Sequence, residues 1–285
     1  MDTLIELTAY GPHAEDVFTE CVSRLAELEQ RLSVYHTEGD IYALNHSNGA
    51  WIKLNPDAFA VLNLAKEVAI LTDGAFDPTV FPAVLAWDSM SGKRIPSADE
   101  LNMLKSLVDY RQLELEQQSL SARLAPNMQV DLGGIAKGYA ADELRKIYEK
   151  YETCGIINLG GNVLAVGQSP FGSEWRIGIR HPRNNEKLLT AVEIESGSVV
   201  TSGDYQRYFE QSGIRYHHIL DPNTLCPAEN GLISATVLHH DSALADALST
   251  ATIVLGPEKG SALLQQQGLR AILVTDTEEL LWVGF

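Results

Sequence analysis

Residues 131–142 read DLGGIAKGYAAD. Asp131 ends a short apolar run, Gly133 and Gly134 follow, and Lys137 and Gly138 lead into a helix-forming tail. The stretch is therefore predicted as a strand-to-helix junction. Glycine has no Cβ, so the backbone here can come close to a ligand, and the N–H groups that open a helix suit an anion. A carboxylate and an ammonium share the junction. No Ser or Thr follows the lysine as a P-loop requires, and G-x-G-x-x-G does not fit. Residue chemistry alone leaves two readings open, a phosphate-facing turn and a glycine turn that only packs.

Outward from this junction, strands and helices mix throughout. Thr3–Ala9 reads as a strand. Pro12 opens a helix to about Leu32 with Val17, Cys21, Leu25, Leu28 and Leu32 on one face. Asn55 caps a second helix, with Pro56 in its first turn and Ala58, Val61, Leu62, Ala65 and Val68 inward; it stops near Gly74. Ser97-Ala98-Asp99-Glu100 is a capping box. Leu113–Leu115 and Leu120–Leu124 read as a hairpin, and a fourth helix runs from about Ala136 to Tyr151. Strands are expected at Gly155–Leu159, Val163–Val166, Trp175–Arg180, Leu189–Ile194 and Arg215–Leu220. Helices at Ser242–Leu255 and Pro257–Gln267 come next, then strands near Ala271–Val274 and Glu279–Val283. Hairpins with helices interspersed predict an α+β fold with mixed or antiparallel sheets rather than regular βαβ units. No repeat, low-complexity segment or linker divides the chain, so one domain over 1–285 is expected.

The chain has 285 residues, enough for a sizeable core. Its three cysteines, Cys21, Cys154 and Cys226, are odd in number and far apart, which argues against a disulfide framework or zinc cluster. No run of 18 apolar residues marks a transmembrane helix. The opening MDTLIELTAYG lacks the features of a signal peptide. As written, the chain is expected in the cytoplasm; had a leader been removed, a periplasmic or membrane-anchored place is expected instead. The net charge of −17 disfavours nucleic-acid and anionic-membrane partners. It also means that a bound pyrophosphate needs local neutralisation by basic groups, helix N-termini or a divalent cation.

Asp246 and Thr250 stand four apart on a predicted helix, so their oxygens share a face. A carboxylate with a hydroxyl suits Mg²⁺, although an Asp early in a helix and a Thr bonded to its own backbone are also ordinary features. In Tyr216-His217-His218-Ile219-Leu220-Asp221-Pro222, adjacent strand residues face opposite ways, so one histidine at most enters a site as a base. Thr72-Asp73-Gly74-Ala75-Phe76-Asp77-Pro78-Thr79-Val80 is a connector, or a rigid loop offering backbone groups and an aromatic ring to a flat ligand. Thr201-Ser202-Gly203-Asp204-Tyr205 is a similar turn after an apolar strand.

Taken in order, TDGAFDPTV (72–80), DLGGIAKGYAAD (131–142), NLGGN (158–162), TSGDYQRYF (201–209), HHILDP (217–222) and ADALST (245–250) resemble the blocks of the ApbE-like FAD:protein FMN transferases. SVYHTEGDIYALN (33–45) resembles that family's early stretch, and Met1-Asp2-Thr3 its opening. The resemblance spans essentially the whole chain. It implies a two-lobed α+β fold with the site between the lobes. It also implies Mg²⁺-dependent transfer of the FMN part of FAD to a threonine of an acceptor flavoprotein, with release of AMP. This covalent flavinylation is phosphoryl-group chemistry, in which positioning and charge neutralisation do most of the catalysis.

By position, the resemblance implies metal ligands at Asp246, Thr250 and the Gly134 carbonyl. It implies flavin contacts from Met1, Tyr35, Ala75, Phe76, Asp77, Asp131, Lys137 and Ile219, with Asn45 beside the flavin site, and His218 as the base. Leu225 stands where the family usually has glycine, which leaves the shape of the 221–225 turn open. Ser249 stands where some members have a second Asp, so one carboxylate fewer faces the cation. Two rival activities use the same residues: an FAD pyrophosphatase with water as acceptor, and FAD binding without catalysis.

Overall fold

The computed structural model describes residues 3–87, 94–172 and 174–285. In chain order the elements are β1 (Ile5–Tyr10), α1 (Ala14–Leu32), α2 (Asp40–Asn45), β2 (Ile52–Lys53), α3 (Pro56–Leu71), α4 (Phe81–Trp87), α5 (Ala98–Leu104), β3 (Glu114–Glu116), β4 (Ser121–Arg123) and α6 (Ala136–Lys150). They continue as β5 (Cys154–Leu159), β6 (Asn162–Val166), β7 (Trp175–His181), β8 (Asn184–Ile194), β9 (Gly197–Gly203), β10 (Tyr208–Gln211), β11 (Ile214–His217), β12 (Leu232–His239), α7 (Ser242–Gln266), β13 (Arg270–Thr275) and β14 (Leu280–Val283). Among the described residues no helix is long and apolar enough to cross a membrane.

Seven strands form one sheet in the order β1-β5-β6-β9-β12-β13-β14, each neighbour antiparallel. The α+β class with antiparallel sheets and interspersed helices is what the chain adopts. α6 and α7 pack together against one face of this sheet. The β7–β8 hairpin covers part of the other face, laying Trp175, Ile177, Ile179, Val192 and Ile194 on Val199 and Leu238. The neighbouring residues Val200 and Val237 point into the main core under the helices. β12 is thus buried along nearly its whole length, and a strand covered on both faces carries no alternation for a sequence reading to find.

The local signals hold where the chemistry is local. The Asn55 side chain accepts from Asp57 N at 2.9 Å to open α3. Ser97 and Glu100 form the expected reciprocal cap on α5. The stripe Val17, Cys21, Leu25, Leu28 and Leu32 is the buried face of α1. The two expected C-terminal helices run together as α7, broken at Gly256 (φ +79°) ahead of Pro257.

Two expectations are corrected. Asp131 does not end a strand; residues 128–132 belong to no strand and have no ladder partner. A side-chain amide takes the partner's place, because Asn45 accepts from Val130 N at 2.7 Å and donates to Val130 O at 2.8 Å. The strand expected at 215–220 ends at His217, where the chain turns toward Asp221-Pro222.

Candidate active site

The site begins where α6 meets α7. Gly138 lies in the first turn of α6, and a Cβ there would fall 2.2 Å from Ser242 O, so only glycine lets the two helices touch. Its N–H donates to Asp246 Oδ2 at 3.0 Å. α6 is capped at Ile135, whose carbonyl takes the first intrahelical bond, from Tyr139 N at 3.0 Å, so the Gly138 N–H is one of the orphan donors of a helix start. The Gly134 carbonyl precedes that cap and so lies outside the helix ladder. A Cβ on Gly134 would sit 3.1 Å from Phe76 Cε2 and 3.4 Å from Thr250 Oγ1. The bare glycine therefore leaves a small cradle beside the threonine hydroxyl.

These groups open onto a cleft of about 800 Å³, the size of a pocket for a large cofactor. Tyr35, Ala75, Phe76, Asp77, Asp131, Gly134, Lys137, His218, Ile219, Asp246 and Thr250 all line it. Eleven residues singled out by the resemblance, scattered over 216 positions of sequence, thus share one cavity. Met1 lies outside the described residues. Asn45 is the exception among those described. It is buried outside the cleft lining and clamps Val130, the residue before Asp131.

At the polar end, Asp246 is 1% exposed and its Oδ1 stands 3.5 Å from Lys137 Nζ. The Lys137 ammonium also donates to Gly133 O at 3.0 Å. Asp131 accepts from Gly133 N at 3.1 Å; burial raises its pKa, opposed by that N–H and by Lys137. At the apolar end, Phe76 and Phe81 are buried and Tyr35, 60% exposed, meets Phe81 edge-on. Asp77 lines the wall, yet its oxygens are engaged by Thr79 N, Thr79 Oγ1 and Tyr110 N. Its carboxylate shapes the 72–80 loop, and burial raises its pKa.

The two histidines divide as a strand register demands. His217 is buried; its Nδ1 accepts from Ile219 N at 3.3 Å, which makes Nε2 the donor to Ala228 O at 3.0 Å. His218 faces the cleft. Its Nδ1 lies 3.2 Å from Arg207 O, which also accepts the His218 backbone N–H at 3.1 Å. A carbonyl only accepts, so Nδ1 carries the hydrogen and Nε2 keeps a lone pair. Burial pushes the His218 pKa down to about 4, helped by the nearby charges of Arg207 and Lys137. The ring is neutral at pH 7, as a base must be.

The sequence reading missed several residues here. Ser202 lines the cleft beside Thr250; its motif was visible but its partner was 48 residues away. Ser249 does not line the cleft. It is fully buried, donates to Asp246 O at 2.8 Å and meets Ser202 at 2.7 Å. Asp204 binds Arg183 through two bonds of 2.7 Å each. This pair ties the β7–β8 hairpin, whose Ile177–Arg180 segment lines the cleft, to the loop after β9. The 221–225 turn keeps a left-handed residue despite lacking glycine: Leu225 sits at φ +60°.

Known proteins carry the same architecture. The ApbE family profile matches residues 1–273. A Klebsiella pneumoniae FAD:protein FMN transferase is 34% identical over 99% of this chain and 89% of its own length. A Vibrio cholerae protein of the same name is 32% identical over 92% and 80%. The crystal structure of the ApbE protein of Thermotoga maritima superposes with a TM-score of 0.94 at 29% identity, covering 99% of this chain and 94% of that one. The flavin transferase ApbE of Vibrio cholerae gives 0.88 at 26% identity, covering 99% and 94%. With a cleft of this make-up and relatives of this extent, the chain belongs to the ApbE family.

Proposed function

We propose that the protein transfers the FMN moiety of FAD to the hydroxyl of a threonine in an acceptor flavoprotein, releasing AMP. The observation that carries this reading is the sharing of one cleft by the oxygen set Asp246, Thr250 and Gly134 and the neutral base His218.

The oxygen set fits a small hard cation. Asp246 supplies a carboxylate, Thr250 a hydroxyl and Gly134 a carbonyl that lies before the α6 cap and outside its ladder, with a cradle no side chain fills. Among the described residues no cluster of three or more His, Cys, Asp or Glu could hold a metal by itself. That agrees with Mg²⁺, which is commonly held by one or two protein groups together with substrate phosphates. Held by Asp246, Thr250 and the Gly134 carbonyl, such a cation would supply positive charge to offset that of the pyrophosphate.

The chain's own groups do the rest. The threonine oxygen of the acceptor forms a bond to the phosphorus of the FMN half, and the bond from that phosphorus to the bridging oxygen breaks. His218 Nε2 takes the threonine proton, and AMP departs with the bridging oxygen. Lys137 adds positive charge at the phosphate end of an acidic protein. The apolar wall of Phe76, Phe81 and Ile219 excludes water from the ring system.

The test incubates the protein with FAD, Mg²⁺ and an acceptor flavoprotein domain, scoring in-gel flavin fluorescence and free FMN together. Fluorescent acceptor that depends on its target threonine is expected, and is lost with Asp246→Ala at limiting Mg²⁺. Free FMN with no labelled acceptor would make water the acceptor and replace this reading. FAD is also expected to raise the melting temperature more than FMN at saturation, because the cleft holds the AMP half as well; equal shifts would contradict a dinucleotide site.

A further inference from the structure

Three hydroxyls stand in a row between β9 and α7: Ser249, Ser202 and Thr250. Their hydrogen positions follow from their partners. Ser249 Oγ is 2.8 Å from Asp246 O. A carbonyl has no hydrogen to give, so the hydrogen in that bond belongs to Ser249. Ser202 Oγ is 2.7 Å from Ser249 Oγ. Because Ser249 has spent its one hydrogen, Ser202 donates. Thr250 Oγ1 is 3.2 Å from Ser202 Oγ, and Ser202 has now spent its hydrogen, so Thr250 donates. Each hydroxyl has one hydrogen and two lone pairs, and the row therefore runs in one direction only.

A second effect works the same way. A helical threonine commonly folds its hydroxyl back onto the carbonyl four residues earlier, here Asp246 O. That oxygen already takes a helix N–H and the Ser249 hydroxyl, which fills both lone pairs. Thr250 is not drawn back to its own helix. Among the described residues its hydroxyl has Ser202 as its hydrogen-bond partner.

We propose that Ser202 and Ser249 are positioning residues that turn the Thr250 hydroxyl hydrogen toward β9 and leave its lone pairs facing the cleft as a cation ligand. This rests on the cation reading above. The relay also gives Ser249 a purpose. It is buried beneath the site and acts on the ligand next to it in sequence without reaching the cleft itself.

The test measures Mn²⁺ binding, by loss of the free-ion electron paramagnetic resonance signal, with Mn²⁺ alone and with ADP. Supporting groups behind a metal ligand are typically worth about 10–100-fold in affinity. Ser202→Ala is expected to weaken Mn²⁺ binding by roughly that factor. Ser202→Thr keeps the hydroxyl and should bind within about threefold of the parent, a distinction that bulk folding defects do not produce. Ser249→Ala, which reopens Asp246 O to Thr250, should weaken binding in the same direction, and thermal melting confirms that each variant is folded. Folded Ser202→Ala and Ser249→Ala proteins that bind Mn²⁺ as tightly as the parent overturn the relay. Asp246→Ala separates the two ideas: it should abolish binding, and if it does so while the serine variants bind normally, the relay fails and the cation site stands. Unchanged binding by Asp246→Ala removes the cation reading itself.

Discussion

Asp142 and Asp246 cap each other's helices. Asp142, on α6, accepts Ser242 N at 3.0 Å and Ala243 N at 2.9 Å at the start of α7. Asp246, on α7, accepts Gly138 N at 3.0 Å in the first turn of α6. Orphan N–H groups at helix starts need partners, and here each helix supplies the other's. The exchange fixes the crossing that sets Gly134 and Lys137 against Asp246 and Thr250. The polar end of the cleft is thus a product of helix packing.

Asp142 makes this crossing sensitive to pH. Burial pushes its pKa up to about 6; the Asp241 charge adds to this, while the two backbone N–H groups and Arg145 oppose it. The unfolded chain gives up that proton near pH 4. Between about pH 4 and 6 the folded state holds the proton more tightly, so this group's contribution to stability falls as pH rises through that window and is flat above it. The slope cannot exceed about 1.4 kcal/mol per pH unit for one group. In Asp142→Asn that slope should vanish. Urea melts of both proteins from pH 4 to 7 check this: their stability difference should change across the window and level off above pH 6. A constant difference would show that Asp142 does not titrate there.

The histidine pair separates stability from catalysis. His217→Ala leaves Ala228 O and Ile219 N without partners in a buried place, which should cost about 1–3 kcal/mol of stability with turnover per folded molecule largely kept. His218→Ala should retain FAD binding and lose roughly 10²–10⁴-fold in transfer rate, the usual worth of a positioned base. With its pKa pushed down to about 4, His218 is neutral throughout pH 6–8. The parent's kcat/KM for acceptor should show no His218 limb there and should fall only as pH drops through about 4. A limb near 6.5, absent in His218→Ala, would show that the ring titrates as an exposed imidazole.

Much of this was legible because its signals are short-range or carried by a motif. The Asn55 and Ser97 caps, the α1 stripe and the Gly256-Pro257 break each depend on residues within a few positions. The site residues were legible through blocks of sequence, which say what is present without saying what touches it. Asn45 shows the limit. It closes one such block and was placed beside the flavin site, yet its hydrogen-bond partner is a backbone 85 residues on, which no block of sequence could show. β12 escaped for the opposite reason: buried on both faces, it has no pattern. The Ser202–Ser249 contact joins two elements that only the packed sheet brings together.

The Arg183–Asp204 pair should govern how firmly the β7–β8 wall closes the cleft. Asp204 is 7% exposed, and a bidentate guanidinium–carboxylate pair fixes geometry as well as charge. Arg215 stands 4.0 Å from the same carboxylate, a longer, single-pronged pairing compared with the fork Arg183 makes. Arg183→Ala should raise the FAD dissociation constant about 5–50-fold, with a smaller effect on kcat, since no reacting group is touched. Arg183→Lys, which keeps the charge and loses the fork, should recover only part of the affinity. Titration of FAD fluorescence measures both, and an unchanged dissociation constant in Arg183→Ala would remove the pair from any role in the wall.

Leu225 sets two known effects against each other. At φ +60° a non-glycine residue costs about 1–2 kcal/mol, and glycine would avoid that. The turn needs this conformation, because Leu225 N donates to Asp221 O at 2.7 Å and Leu225 O accepts from Trp87 Nε1 at 2.7 Å. The leucine side chain, however, is fully buried with Ala83, Trp87, Leu101, Phe209 and Leu220. Emptying such a site typically costs about 2–5 kcal/mol. Burial therefore wins, and Leu225→Gly should lose about 1–3 kcal/mol in urea unfolding even though it relieves the backbone. The loss should reach the cleft as well, since Trp87 ends α4, whose Phe81 and Val84 line it beside His218. Leu225→Ala keeps the unfavourable φ and loses the packing, so it should be less stable than Leu225→Gly. The reverse order would show that the left-handed turn has relaxed and that Leu225 is held by its side chain alone.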